Sequence, residues 1–276
     1  MRPVDPSRFS GALSRTRTWR GTLLLYLSLA SPARYRAVDR LSSGKQAKSG
    51  GAPATVASMM RGMLADLWPT YRLRITTSRL QLRLPDEAEL AQFAELAGGG
   101  VHQPSERPFL TPWTEGSARD RSQFVLRGYW GSLAEWAVTD WSLGLGVCTL
   151  DGEPRGMVSL GARDFPVVRE VTTSSWLGLA HQRQGFGTEA RIGLLTLAFD
   201  HLGAAAAVTE VFPDNHASQG VSRKLGYQSD GISRDARGTE VLVSDRLRLT
   251  RDRWLADSHE GVSVEGIDEC RAMFEG

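Results

Sequence analysis

Cysteine is nearly absent from this sequence. Its 276 residues include two cysteines, Cys148 and Cys270, which are too few for a disulfide framework and lack the spacing of metal ligands. The histidines His102, His181 and His216 lack that spacing too, so we expect no metal site. No apolar run reaches the ~18 residues that a membrane-spanning helix needs. These absences disfavour a disulfide-rich secreted domain and stable membrane association, and they favour a cytoplasmic protein.

Charge is distributed unevenly along the chain. Residues 1–74 contain 13 Lys/Arg and 3 Asp/Glu, whereas residues 75–276 contain 20 and 28. Asymmetry of this size usually separates a tail from a domain. We therefore predict a basic, disordered or mis-assigned extension over residues 1–72, a domain over residues 73–253 and an acidic tail over residues 254–276. The acidic surface favours amines and basic peptides as partners rather than nucleic acid.

The first 58 residues show little sign of a fold. They are rich in Arg, Ser, Gly, Ala and Pro, as flexible segments are. One apolar run, residues 23–30, follows basic residues as in a signal peptide. Three interpretations stay open: a disordered or untranslated extension with initiation at Met59, Met60 or Met63, a short targeting or membrane-surface helix, or a segment of another kind.

A regular pattern begins near residue 75. Residues 79–84 alternate between polar and apolar, which predicts a half-buried strand. Asp86 and Glu89 then form a capping box for a helix that continues to about Ala97. The remaining pattern predicts helices over residues 117–136, 188–202 and 215–225, and strands over residues 141–150, 155–162, 168–179, 204–212, 227–233 and 240–249.

This order of elements defines the fold class. Antiparallel hairpins fill the first half of the domain, and a strand–helix–strand unit follows in the second half. The pattern predicts an α+β fold with a mixed sheet of about six to seven strands and about four flanking helices. Beyond residue 257 we expect an acidic, poorly ordered tail.

A glycine-rich turn, residues 182–188, connects a predicted strand to a predicted helix. The first N–H groups of a helix lack intrahelical partners and the helix dipole is positive there, so a phosphate fits this position. Gly185 and Gly187 let the backbone approach an anion without an intervening Cβ. Thr188 can cap the helix and offer a hydroxyl, and Arg183 adds positive charge.

Two nucleotide-binding motifs compete with this interpretation. The P-loop needs a Lys after its last glycine, and none follows Gly187. The dinucleotide fingerprint is met in its looser form, with Ala190 in the third glycine position, but the loop comes late, after antiparallel hairpins. The glycines alone are also compatible with a tight turn that binds nothing.

The wider context resembles the GNAT superfamily of N-acetyltransferases. Gln182-x-x-Gly185-x-Gly187 matches its Gln/Arg-x-x-Gly-x-Gly/Ala signature. The resemblance covers about residues 73–250 and implies the GNAT fold, with the sheet splayed at a CoA cleft and acetyl-CoA as co-substrate. The features that resemble the ribosomal-protein N-acetyltransferase (RimJ/RimL-like) branch are Thr188-Glu189-Ala190, Asn215-x-x-Ser218, Lys224-Leu-Gly-Tyr227 and the opening strand Thr77-x-Arg79-Leu80-x-Leu82-Arg83.

The resemblance implies a role for each part of the cleft. The strand before the loop should splay from its neighbour, so that its backbone pairs with the pantetheine arm like an added strand. Asn215 should bond the pantetheine or the loop, unless it is a plain helix N-cap. Ser218, one turn further on, should offer its hydroxyl to the CoA sulfur, unless it is a surface serine. The implied cofactor-binding residues are Trp176, Leu177, Leu179, Gln182, Arg183, Gln184, Gly185, Phe186, Gly187, Thr188, Asn215 and Ser218.

The general base is weakly determined by the sequence. Glu210 is the first candidate, because it comes late on the strand beside the cleft, where burial with Val208 would raise its pKa. A solvent-facing charge is the alternative reading of this residue. Glu170 and Asp164, near the preceding hairpin, are further candidates. The expected catalytic residues are thus Ser218 and Glu210.

The acceptor pocket is expected where the fold places its aromatic residues. Residues 104–113, with Phe109 and Trp113, and the helix residues Trp130 and Trp136 occupy that region, although core packing is the alternative. The predicted reaction is direct attack of a primary amine, from a protein N-terminus or a small molecule, on acetyl-CoA in a ternary complex. A non-catalytic acyl-CoA-binding module is the alternative, and both a monomer and a homodimer stay open.

Overall fold

The computed structural model describes residues 56–259 and 261–276. The predictions for residues 1–55, including the signal-peptide-like run, lie outside the described residues. Helix α1 covers Val56–Leu67, and a 3-10 turn, Pro69–Arg72, follows it. Regular structure therefore begins before residue 73, which is the predicted start of the domain.

The strands are the elements that position the site. Predicted strand starts and ends differ from the observed ones by a few residues at most. The strands are β1 (Arg74–Thr76), β2 (Leu80–Arg83), β3 (Asp140–Thr149), β4 (Pro154–Arg163), β5 (Glu170–Leu177), β6 (Ala206–Val211), β7 (Gln228–Arg237), β8 (Glu240–Thr250) and β9 (Ser263–Glu265).

The helices flank this sheet on both faces. A π-helical turn, Leu197–His201, extends the fifth helix, and a 3-10 turn, Leu179–His181, follows β5. After α1, the helices are α2 (Glu87–Gly98), α3 (Ala118–Ala134), α4 (Phe165–Val168), α5 (Phe186–Thr196), α6 (His216–Lys224), α7 (Arg251–Ala256), α8 (Ile267–Cys270) and α9 (Ala272–Glu275).

The described strands form one mixed sheet in the order β7-β8-β6-β5-β4-β3-β2-β1-β9. Neighbouring strands are antiparallel except β5 and β6, which are parallel. The α+β class is confirmed, and the nine strands exceed the predicted six to seven because the three-residue strands β1 and β9 are too short for a periodic signal. One parallel pair in nine strands also differs from the run of parallel strands that a dinucleotide-binding fold requires.

The predicted capping box at the start of α2 is present, and α3 begins with a second one. The Asp86 side chain accepts from the N–H of Glu89, whose carboxylate accepts from the N–H of Asp86, at the start of α2. Ser117 and Asp120 do the same at the start of α3. Each box satisfies two N–H groups that lack intrahelical partners, so the sequence could place these two helix starts.

The expectation that the acidic tail is poorly ordered is wrong for the part that the structure describes. Strand β9 pairs with β1, and α8 and α9 bury Ile267, Cys270 and Phe274. The Phe274 ring lies 4.9 Å from that of Trp141, centroid to centroid. These few apolar residues recur on one helical face, which anchors an otherwise charged segment to the domain.

The two faces of the sheet carry different helices. α5 buries Leu194 and Leu195 on one face, and α2 and α3 bury Phe93 and Val125 on the other, against Met157 of β4. We call these the α5 face and the α3 face. No helix in the described ranges combines the length and apolar character needed to cross a membrane.

Candidate active site at the splayed strands

Strands β5 and β6 separate after a short parallel ladder. The ladder joins residues 170–172 to residues 206–208. Beyond it, β5 stays paired with β4 as far as Leu177, while no described strand pairs with its other edge. The Thr209 hydroxyl donates to the Thr173 carbonyl at 3.3 Å, which marks the apex of the split. The remaining edge of β5 can accept an extended ligand as an added strand.

The glycine-rich loop opens α5 at the end of β5, as predicted. Gly185 is the N-cap, with φ of 86°, a left-handed conformation that favours glycine. Helix α5 begins at Phe186, so the N–H groups of Phe186, Gly187 and Thr188 have no intrahelical acceptor. Thr188 is therefore the third helical residue, and its predicted capping role is wrong. A Cβ on Gly187 would lie 3.6 Å from Leu177 Cδ1, so internal packing does not require this glycine.

Gln182 fastens the loop to the end of β5. Its Nε2 donates to the carbonyls of Val101 at 2.6 Å and Leu177 at 3.0 Å. Gln184 Nε2 donates to a carbonyl four residues earlier at 2.9 Å, and Arg183 is exposed with φ of 59°. The two glutamine side chains thus fix the shape of the loop.

Glu189, in the first turn of α5, holds the turn between β1 and β2 and was not predicted as a site residue. Its Oε1 accepts from Thr77 Oγ1 at 2.6 Å, Ser78 Oγ at 3.1 Å and Arg79 N at 2.9 Å. Arg79 Nη2 lies 2.6 Å from Oε2. Burial alone would raise the pKa of Glu189, but the hydrogen bonds from Thr77 and Arg79 outweigh it and the pKa lies below its usual value.

Two further arginines lie at the loop. Arg79 Nη1 donates to the carbonyl of Gln184 at 3.1 Å, and its guanidinium lies 4.7 Å from the centre of the Phe186 ring. The Arg155 guanidinium lies 5.6 Å from the same ring. Arg79 is ion-paired with Glu189 and Arg155 with Glu153. The exposed Arg183 adds positive charge next to the helix start, which suits a phosphate ligand. The opening-strand motif contains Arg79 and could have identified it as a loop residue from the sequence. No motif in the sequence around Arg155 indicates that this residue lies at the loop.

Arg191 lies beneath the apex of the split, on the α5 face. Only 4% of its surface is exposed. Its Nη1 donates to Thr173 Oγ1 at 2.8 Å and its Nη2 to Ser175 Oγ at 3.3 Å, so hydroxyls hold this buried cation. Burial raises the pKa of the neighbouring Tyr227 phenol, and the Arg191 charge acts in the opposite direction.

The start of α6 lies after β6, where the resemblance places donor contacts. Asn215 Oδ1 accepts from the Ser218 N–H at 3.1 Å, so Asn215 is the helix N-cap. The Ser218 side chain is half-buried in the first turn. Contacts of Asn215 and Ser218 with a cofactor stay predictions.

The three candidate bases have different surroundings. Glu210 is exposed, next to Arg246 of β8 in the ladder, so its solvent-facing reading is the correct one. Its neighbour Thr209 points to the α5 face, which places Glu210 on the α3 face. Glu170 forms an ion pair with Arg248. Asp164 is exposed at the hairpin, where its φ is 47°.

A cavity of about 260 Å³ lies on the α3 face, between α3, the aromatic loop and strands β4 and β5. Phe109 and Trp113 line it, as predicted. The Trp113 ring centre lies 5.2 Å from that of Phe124, in a stacked arrangement, and 6.1 Å from that of Trp176, edge to face. Trp176, expected among the cofactor contacts, therefore directs its ring into this cavity.

The other two tryptophans expected at the pocket lie elsewhere. Trp136 stacks on Trp141 in the core, and its Nε1 donates to the carbonyl of Met273 at 3.0 Å. Trp130 is 54% exposed. Neither lines the cavity: Trp136 packs in the core beneath the C-terminal segment, as in the alternative interpretation, and Trp130 faces solvent.

The cysteines and histidines show no reactive arrangement. Cys148 is buried, and burial raises the pKa of its thiol to about 11, so it stays protonated at neutral pH. His102 Nε2 is hydrogen-bonded to Thr114 Oγ1 at 2.8 Å. Among the described residues, no group of three or more His, Cys, Asp or Glu side chains is placed to hold a metal ion.

Comparisons with known proteins agree with this geometry. RimJ from Mycobacterium smegmatis in complex with CoA-disulfide has a similar fold, at 18% identity and a TM-score of 0.52, over 67% of this chain and 92% of that chain. RimL, a ribosomal-protein alpha-N-acetyltransferase in complex with coenzyme A, is 16% identical with a TM-score of 0.50, over 64% and 97% of the two chains. A chimera of spermidine N-acetyltransferase SpeG from Vibrio cholerae and hSSAT is 16% identical with a TM-score of 0.50, over 65% of this chain and 100% of that chain.

At these identities the solved structures establish the fold alone. The sequence itself matches the family model of the acetyltransferase (GNAT) domain over residues 79–228, more than half of the chain. That match contains the loop, the splayed strands and the cap of α6. It therefore excludes the P-loop and the dinucleotide fingerprint as explanations of the glycine-rich loop. The chain belongs to the GNAT family and is an acetyl-CoA-dependent acetyltransferase.

Proposed function

We propose that this protein transfers the acetyl group of acetyl-CoA to a primary amine, by direct attack in a ternary complex. The observation that carries the proposal is the edge of β5 beyond Thr173, which no described strand pairs, directly beside a helix start surrounded by Arg79, Arg155 and Arg183. One part of this arrangement suits an extended chain with amide groups, and the other suits a pyrophosphate. Acetyl-CoA contains both.

The donor would lie along the split from loop to apex. The N–H groups of Phe186, Gly187 and Thr188 would hold the pyrophosphate, because they have no intrahelical acceptor. The pantetheine amides would pair with the β5 edge between Leu177 and Thr173, a span of about 13 Å at the usual ~3.3 Å per residue. The thioester would then reach the apex of the split.

The reaction needs one proton acceptor and one proton donor. The nitrogen of a neutral amine forms a bond to the thioester carbonyl carbon and the carbon–sulfur bond breaks. Glu210, on the α3 face beside the split, would take the proton that the amine loses, directly or through water. Ser218 would donate a hydrogen bond to the sulfur as the thiolate leaves, and the proton taken by Glu210 would pass through water to the thiolate, so that CoA leaves as the thiol. Holding amine and thioester together supplies much of the rate enhancement.

Two measurements test this proposal. Isothermal titration should show binding of acetyl-CoA and CoA at one site and none of ATP or NAD. Thiol release should then be observed with acetyl-CoA and at least one member of an amine panel. Tight binding of acetyl-CoA without turnover of any amine would contradict catalysis and support the non-catalytic module.

A further inference from the structure

The walls of the α3-face cavity are aromatic and uncharged. Among the described residues that line it, none carries a carboxylate, an ammonium, a guanidinium or an imidazole. The rings that form the walls are those of Phe109, Trp113, Phe124 and Trp176. Such a surface favours a flat apolar group and one cation over a ring face.

The floor of the cavity is polar and lies close to the split. Ser159 and Ser174, on β4 and β5, are 2.6 Å apart, hydroxyl to hydroxyl. Ser174 comes one residue after Thr173, where the edge of β5 becomes unpaired. An amine bonded to these hydroxyls would lie beside the strand that is proposed to hold the thioester. The rest of the acceptor would then extend outward between the rings.

The cavity sets the size of the part of the acceptor that it encloses. Its volume is about 260 Å³ and it is partly open to solvent, so the rest of the acceptor can extend outward. That room suits a phenyl or indole ring with an ethylamine arm. A long polyamine would bring a second ammonium into a site without a carboxylate, where losing its hydration is uncompensated.

We infer that the acceptor is a primary amine attached to an aromatic or large apolar group, with no second positive charge near it. A free arylalkylamine and the N-terminal aromatic residue of a peptide both present this chemistry. The inference rests on the proposed amine acetylation and adds the class of amine.

The test compares acceptors at saturating acetyl-CoA. The panel contains 2-phenylethylamine, tryptamine, spermidine, and two short peptides that begin with Phe or with Asp. We expect kcat/KM for the aromatic amines or for the Phe peptide to exceed that for spermidine and the Asp peptide by about 100-fold. The two aromatic arms distinguish a free amine from a peptide.

Variants connect this preference to the cavity. Trp113→Ala should raise KM for the favoured aromatic acceptor at least about tenfold and leave acetyl-CoA affinity unchanged. Trp130→Ala, on the exposed side of α3, should change neither. Gly128 lines the cavity, and a Cβ there meets nothing within 4 Å, so Gly128→Asp should fold. It should raise kcat/KM for spermidine relative to tryptamine, whereas Gly128→Ala should not.

The outcomes separate this inference from the proposed function. Turnover of spermidine or of the Asp peptide at least equal to that of the aromatic acceptors would overturn the amine class while leaving acetyl transfer intact. Unchanged aromatic KM in a folded Trp113→Ala protein would overturn the assignment to this cavity. No turnover of any amine, with acetyl-CoA bound, would contradict both.

Discussion

The proposed donor half and the proposed acceptor half of the cleft are built in different ways. The donor half uses backbone groups, namely the edge of β5 and the start of α5, with arginines around them. The acceptor half uses aromatic side chains from the loop before α3, from α3 itself and from β5. Backbone groups can bind a ligand in any chain that keeps the fold, whereas a pocket of side chains depends on the particular sequence. We therefore expect the fold to specify the CoA donor and the side chains of this chain to specify the acceptor.

The largest effect should come from placing a carboxylate in the donor half. Gly185→Asp adds negative charge where phosphate should bind, and we expect acetyl-CoA affinity to fall at least about 100-fold by titration calorimetry. Gly185→Asn is the matched control, because Asn tolerates the left-handed conformation and carries no charge. Its acetyl-CoA affinity should fall less than about tenfold. A folded Gly185→Asp protein with wild-type affinity would break the assignment of this loop.

The second effect concerns Glu210, the proposed proton acceptor on the α3 face. Glu210→Gln keeps the size of the side chain and removes its basicity, so kcat should fall by about 100-fold while the Kd of acetyl-CoA stays the same. Glu240→Gln, at an exposed position on β8, is the control and should leave kcat unchanged. Wild-type kcat in Glu210→Gln would exclude Glu210 and direct attention to another base.

The third effect concerns the carboxylate that ties the donor loop to the β1–β2 turn. Glu189→Gln should lower the free energy of unfolding by ~2 kcal/mol near pH 7, because charge-assisted hydrogen bonds are lost. The effect is no larger because Arg79 is half exposed, so solvent screens its ion pair with Glu189. Equilibrium urea denaturation measures this difference.

The pH dependence of that difference follows from the sign of the shift. The pKa of Glu189 is lower in the folded than in the unfolded protein. Its stabilisation is therefore complete above the unfolded pKa of about 4.3 and disappears as the pH falls through the folded pKa. The gap between wild type and Glu189→Gln should close in acid. A gap that grows on acidification would contradict the proposed network.

The smallest effect should be at Arg191, under the apex of the split. Arg191→Met fills a similar space. The substitution loses the hydrogen bonds to Thr173 and Ser175 but also removes the cost of burying a cation, so we expect the free energy of unfolding to change by less than ~1 kcal/mol. A loss above ~3 kcal/mol would show that the Thr173 and Ser175 bonds stabilise the fold more than burial of the charge destabilises it.

Local signals allowed the glycine turn of the donor half and the start of α2 to be predicted. The glycine turn and the capping box at Asp86 each depend on residues within a few positions of each other, and the structure confirms them. Thr188 was assigned as a cap because threonine favours that role, but the left-handed Gly185 starts the helix three residues earlier.

Long-range packing explains what the sequence could not provide. Glu189 meets Arg79 from 110 residues away, and no periodic pattern encodes that pair. Trp136 and Trp113 are equally aromatic, yet the C-terminal helices cover the first while the second faces the cavity. Which aromatic residues form a pocket depends on elements that are too short to predict.

One titration tests the separation of the two halves most directly. Acetyl-CoA is titrated into the wild-type protein, Gly185→Asp and Trp113→Ala, each first shown to be folded. This separation predicts that Gly185→Asp loses measurable binding while Trp113→Ala keeps wild-type affinity. Wild-type affinity in Gly185→Asp, or loss of acetyl-CoA binding in Trp113→Ala, would contradict it.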